Sequence, residues 1–77
     1  MNKVRRKEIK RAVDLLDEAI GILTECRDEE YEAFESLPEG IQNSERGEQM
    51  QEYENTISEK VDELEYAVSD LNEIVDS

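Results

Sequence analysis

Apolar residues recur along the first half of the chain at the spacing of one helical face. Ile9, Val13, Leu16, Ile20 and Leu23 are separated by 4, 3, 4 and 3 positions, the period that returns side chains to one side of an α-helix. Ala12, Leu15, Ala19, Ile22 and Cys26 widen the stripe on one side. That width suits a bundle helix better than a narrow two-stranded seam. The stripe continues, with more polar interruptions, to Ala33, Phe34 and Leu37. Gly21 is the only glycine between Lys3 and Glu35, and no proline falls there, so one helix over about residues 3–36 is predicted. In the second half Met50, Tyr53, Ile57, Val61, Leu64, Val68, Leu71 and Val75 step by 3, 4, 4, 3, 4, 3 and 4, with Ala67 and Ile74 thickening the stripe. A second helix over about residues 44–75 follows.

The segment between them, residues 37–43, reads as a turn. Pro38 cannot continue the first helix without losing a backbone bond, and Gly40 tolerates positive φ. Ser36 and Glu39 have capping-box spacing, which predicts a short helical turn over Pro38 to Gln42. Asn43 or Ser44 is placed to accept a backbone N–H at the start of the second helix. Leu37 and Ile41 are expected to fold inward and plug the bundle end. In an antiparallel hairpin, facing residues have a constant index sum. Ile9 with Leu71, Leu16 with Leu64, Leu23 with Ile57 and Glu30 with Met50 all give 80; Val13 with Val68 and Ile20 with Val61 give 81. Two stripes read independently therefore superpose about a turn near residue 40. The predicted fold is all-α: one domain over residues 1–77, an antiparallel, coiled-coil-like two-helix hairpin.

Helices of this size are about 45 Å long, and two of them leave part of a wide stripe uncovered. Leu15, Ile22 and Ile74 are the flanking residues without partners. Pairing of two hairpins into a four-helix bundle would cover them, so self-association as a homodimer is expected. The same surplus is also the signature of a partner-binding surface.

Composition changes the picture in two ways. The chain has 22 acidic and 9 basic residues and no histidine, for a net charge of −13. Such a charge with 36% apolar residues raises the prospect of disorder, but the sustained helical period argues for a folded chain. The negative balance disfavours direct binding to nucleic acid or an anionic membrane. No apolar run nears the roughly 20 residues that span a bilayer. The basic N-terminus lacks the apolar core of a secretory signal. Without histidine and with Cys26 alone, a zinc site, a histidine-based triad or a disulfide framework cannot form within one chain, and a reducing cytoplasm fits. No catalytic residue, cofactor or metal site is predicted.

The charge is also uneven. Residues 1–11 hold six basic residues and one acidic, a net +5. A hairpin sets them beside Asp70, Glu73 and Asp76, an internal complementarity; a local phosphate- or acid-binding site is the alternative. From Asp28 to Glu54 there are ten carboxylates and one cation, Arg46. As a functional surface this acidic end, carried by Asp28, Glu29, Glu32, Glu35, Glu45, Glu48 and Glu52, would imitate a polyanion and enter the basic groove of a nucleic-acid-binding protein. The plainer reading is a solvated face. Tyr31, Phe34, Leu37 and Tyr53 lie near the turn, where they either close the bundle or make an apolar contact with a partner. Glu29-x-x-Glu32 and Glu59-x-x-Asp62 resemble superficially the Mg-binding signature of all-α nucleotide pyrophosphohydrolases. The hairpin register separates the two pairs by roughly 15 Å, which leaves a Mg-dependent hydrolase as a remote alternative.

The stretch Glu35-Ser-Leu-Pro-Glu-Gly-Ile-Gln-Asn-Ser-Glu-Arg-Gly-Glu-Gln-Met50, followed by an acidic heptad-like helix, resembles small acidic two-helix proteins of bacteriophages and prophages. Its most specific part is Leu37 to Gly47, and the likeness covers most of the chain. The resemblance implies a bacterial host cytoplasm as the setting. The proteins it resembles are uncharacterised and carry no function over, but small acidic phage proteins often block host enzymes or immune systems, some by imitating DNA. That adds to the reading of the acidic surface as that of a non-enzymatic inhibitor that binds and blocks a host defence or nucleic-acid-handling protein. A structural, self-assembling helical bundle is the alternative.

Overall fold

A computed structural model describes all 77 residues. Three helices follow in order: α1 over Lys3–Glu35, α2 over Glu39–Gln42 and α3 over Glu45–Asp76. The long helices α1 and α3 pack against each other as a helical hairpin. The rod measures 58 × 14 × 13 Å, close to the roughly 50 Å of one 33-residue helix plus its turn. The expected ends lie within one residue of those observed.

Burial follows the predicted stripes. Val13, Phe34, Val61 and Val68 are the buried apolar residues, with Ile9, Leu16, Ile20, Leu23, Met50, Ile57, Leu64, Leu71 and Val75 half-buried beside them. The index sum of 80–81 fits this pattern, since both buried valine positions of α3 match apolar positions of α1 at 81. Burying a side chain of this kind stabilises by about 1.5–3 kcal/mol. Four such side chains make a thin core for a chain of this length. Arg6, Arg27, Glu30 and Glu54 are half-buried too, so the seam becomes polar where Arg27 and Glu54 share a level.

The ends of α1 have local causes. The Asn2 side chain accepts the Arg5 backbone N–H at 2.8 Å and caps the N-terminus. At the other end Ser36 is the C-cap: its backbone N–H and its hydroxyl both donate to the Glu32 carbonyl, and the Leu37 N–H follows with a tighter bond to the Phe34 carbonyl. Ser36 is not the N-cap of a capping box. Pro38 precedes α2, and no side-chain bond caps that turn.

Gln42 closes the corner. Its side-chain amide donates to the carbonyls of Phe34 at 3.2 Å, Leu37 at 3.1 Å and Glu35 at 3.4 Å. Those of Glu35 and Leu37 have no backbone partner, whereas that of Phe34 also accepts the Leu37 backbone N–H. Ser44 stands at the cap position of α3, but its hydroxyl donates back to the Ile41 carbonyl instead of accepting from the helix. Neither Ser44 nor Asn43 plays the expected capping role. Gly40 is an ordinary helical residue, because no glycine has positive φ. Leu37 is half-buried, whereas Ile41 is 39% exposed and does not plug the end.

Gly47 is the buried residue at the first core position of α3. A Cβ there would lie 2.1 Å from the Gln42 carbonyl oxygen and 2.7 Å from that of Ile41. The corner thus passes over α3 so closely that only glycine fits. By register, Gly47 and Phe34 share a level at 81, a small residue opposite a large one.

Candidate partner-binding surface

The outer faces of the two helices carry the acidic residues. Asp28, Glu29, Glu32 and Glu35 follow the outward ridge of the last turns of α1 and are exposed. Glu45, Glu48 and Glu52 follow the outward ridge of the first turns of α3 and are exposed as well. In a hairpin these ridges point away from each other, so the seven carboxylates form a belt around the turn end and not one flat patch. Glu45 and Glu48 also sit in the first turn of α3, where negative charge complements the helix dipole.

Almost none of this charge is neutralised within the chain. The four ion pairs are Lys10–Asp14, Arg11–Glu8, Arg27–Asp28 and Lys60–Glu63, and each joins residues of one helix. Only Arg27–Asp28, at 3.4 Å, falls at the acidic end. From Glu29 to Glu54 no carboxylate has an ion-pair partner. One open concavity there is lined by Glu45, Arg46, Glu48, Gln49 and Glu52; another, by Asp62, Glu65, Tyr66 and Ser69, lies on the same outer side of α3.

The four turn-end apolar residues do not converge. Phe34 is 9% exposed and belongs to the core, so of its two expected roles it takes that of closing the bundle, at the Gly47 level, and is not an exposed contact residue. Leu37 is half-buried. Tyr31 and Tyr53 are exposed by 49% and 54%, but they follow opposite flanks of the seam by helical period. The most exposed aromatic is Tyr66, at 77%, on the half of α3 nearer the open end.

Leu15, Ile22 and Ile74 are exposed by 58%, 55% and 38%. At the open end the basic residues of α1 lie beside the acidic last turns of α3, yet no salt bridge crosses between the helices. Lys10 feels this arrangement only through the field. Its pKa is raised, first by the hydrogen bond and charge of Asp14 at 2.8 Å, with smaller contributions from Asp17 and from Asp76 across the hairpin. A raised folded value means that the contribution is complete below the ordinary 10.5 and fades only as pH climbs through the raised value. It is therefore constant near neutrality.

No three carboxylate or thiol side chains gather closely enough to hold a metal ion. Glu59 and Asp62 lie on the outer side of α3, about ten residues along the axis from the level of Glu29 and Glu32, as the register requires. No helix is long and apolar enough to cross a membrane. Sequence reasoning singled out the acidic belt but gave no role to Gln42 or Gly47. Gly47 had a readable signal: it falls three residues before Met50, on the α3 stripe. No protein family, curated protein or solved structure matches this chain.

Proposed function

We propose that the protein is a non-enzymatic binding module whose acidic turn end enters a basic groove of a partner protein, in the manner of a nucleic-acid strand. The observation that carries this reading is the run from Glu29 to Glu54 without a single ion pair, on a rod 13–14 Å thick. Unpaired carboxylates on rigid helices bring fixed charge without the cost of breaking internal pairs, and charge of this density steers association with a cationic cleft. The belt arrangement favours a cleft that wraps the tip over a flat surface. Together with the resemblance to small phage proteins, this supports an inhibitor of a host defence or nucleic-acid-handling protein, acting in the bacterial cytoplasm.

The test is capture from nuclease-treated bacterial lysate, with elution in rising salt. A nucleic-acid-binding protein released as salt rises, and prevented by this chain from binding its own DNA, is the expected result. Reversing Glu29, Glu32, Glu48 and Glu52 to Lys should abolish that competition while circular dichroism shows the helices intact. Competition that survives the reversal overturns the reading.

A second property, compatible with the first, is self-association into a four-helix bundle. The exposure of Leu15 and Ile22 above half, beside a core of only four buried apolar side chains, favours it.

A further inference from the structure

Four of the uncovered apolar residues, Leu15, Ile22, Tyr53 and Ile74, lie on one side of the hairpin, whereas Val4 and Tyr66 follow the outer faces and Tyr31 the opposite flank. On α1 the residues just before the core positions Val13, Ile20, Arg27 and Phe34 are Ala12, Ala19, Cys26 and Ala33, and Leu15 and Ile22 stand one step further out on the same flank. On α3 the residues just before Glu54, Val61, Val68 and Val75 are Tyr53, Lys60, Ala67 and Ile74. In an antiparallel pair these two flanks adjoin. The opposite side is polar apart from Tyr31 near the turn, with Lys10, Asp17 and Thr24 of α1 beside Ser58, Glu65 and Asn72 of α3.

We infer that this side binds a second copy of the chain in antiparallel orientation, with α1 crossing α1 of its partner about a two-fold axis at Ala19. This rests on the self-association reading above and adds its geometry. Two features of the chain specify it. First, the flank reads the same in both directions from Ala19. An index sum of 37–38 sets Ala19 on its own copy, Ala12 against Cys26 and Leu15 against Ile22. Small residues at every seventh position let two helices approach closely, and the larger Leu15 and Ile22 fill the space beside them. Second, the charges match only in this orientation. Residues 1–11 carry net +5, whereas residues 28–35 carry five carboxylates and no cation. The same register lays the first segment of one copy along the second segment of the other. A parallel pair would set +5 on +5 and the two acidic tips together.

The test combines mass with cross-linking. Light scattering should give about twice 9.0 kDa, and Leu15→Glu with Ile22→Glu should return the mass to that of one chain while helicity persists. A single-chain mass for the unaltered protein overturns self-association and this geometry together, without touching the acidic-tip reading. Orientation is read from Cys26, which is free and exposed. In the antiparallel register the two Cys26 residues lie about 21 Å apart along the axis, so oxidation of the unaltered chain leaves it unlinked. Ala12→Cys should then give a covalent dimer through Cys26, and Ala19→Cys in a Cys26→Ser background should link at the axis. A dimer that links through Cys26 alone is parallel. A dimer that links in neither variant has another register. Either result overturns the proposal while leaving self-association standing.

Discussion

Gly47 and Gln42 together fix the corner of the hairpin, and each acts through backbone carbonyls. A methyl group at Gly47 would press into the Gln42 carbonyl at 2.1 Å, and backbone cannot step aside as a flexible side chain can. Gly47→Ala is expected to destabilise by about 1–3 kcal/mol, the usual cost of overpacking, despite the better helix propensity of alanine. Gln42→Ala leaves the Glu35 and Leu37 carbonyls without their shared donor and should cost about 1–3 kcal/mol. Gln42→Glu, equal in size but without the N–H, should lose as much. Urea unfolding of the three variants checks both statements; a stable Gln42→Glu would show that packing, not donation, holds the corner. These residues also mark where sequence reading stops. Ser36, Asn43 and Ser44 have the composition of N-caps, but the hydroxyls of Ser36 and Ser44 became donors to preceding carbonyls. Local patterns state which groups can bond. Which partner wins depends on how closely the chain passes itself.

At the scale of the elements, the two halves of the seam differ. Toward the open end Val13 and Val68 share a level, as do Ile20 and Val61. Toward the turn the corresponding levels hold Arg27 with Glu54 and Glu30 with Met50. The only ion pair of Arg27 is with its neighbour Asp28, at 3.4 Å, so the half-buried charges at its level gain no direct contact across the seam. Replacing Arg27 and Glu54 together by Leu should therefore stabilise the hairpin by about 1–4 kcal/mol, as for other partly buried charges exchanged for apolar residues. The thermal midpoint checks it, and a fall would reveal an attraction between the two that the structure does not display. The helices themselves were legible from the 3–4 spacing because most of the stability of a helix in a protein comes from one buried face. The polar levels were legible as interruptions, though not as half-buried positions. The flanking apolar residues were read correctly as surplus, and Leu15 and Ile22 are indeed uncovered in the single hairpin.

For the whole molecule, charge is the dominant unbalanced quantity. A net −13 on a rod 58 Å long, with four exposed or partly exposed ion pairs, leaves repulsion as the larger electrostatic effect. Salt screens charges beyond about 10 Å at 0.1 M. Raising sodium chloride from 20 to about 500 mM should thus raise the thermal midpoint, whereas a protein held by its ion pairs would lose stability. A differential scan at several salt concentrations decides between them. The acidic end was evident in the sequence, since it is a matter of counting. Its division between opposite outer faces was not, because that requires both helix phase and hairpin register.

The corner has a consequence for how the chain reaches this shape. Phe34 and Gly47 share a level although only 13 residues separate them, whereas Val13 and Val68 are 55 residues apart. Closing the shorter loop costs less chain entropy, and every bond made by Gln42 spans eight residues or fewer. The corner is therefore expected to form first, with the hairpin zipping from it toward the termini. In stopped-flow kinetics, Gln42→Ala should slow refolding and leave unfolding nearly unchanged, while Val13→Ala should speed unfolding and leave refolding nearly unchanged. On this expectation the barrier to folding lies in making the bend, and most of the stability is added after it.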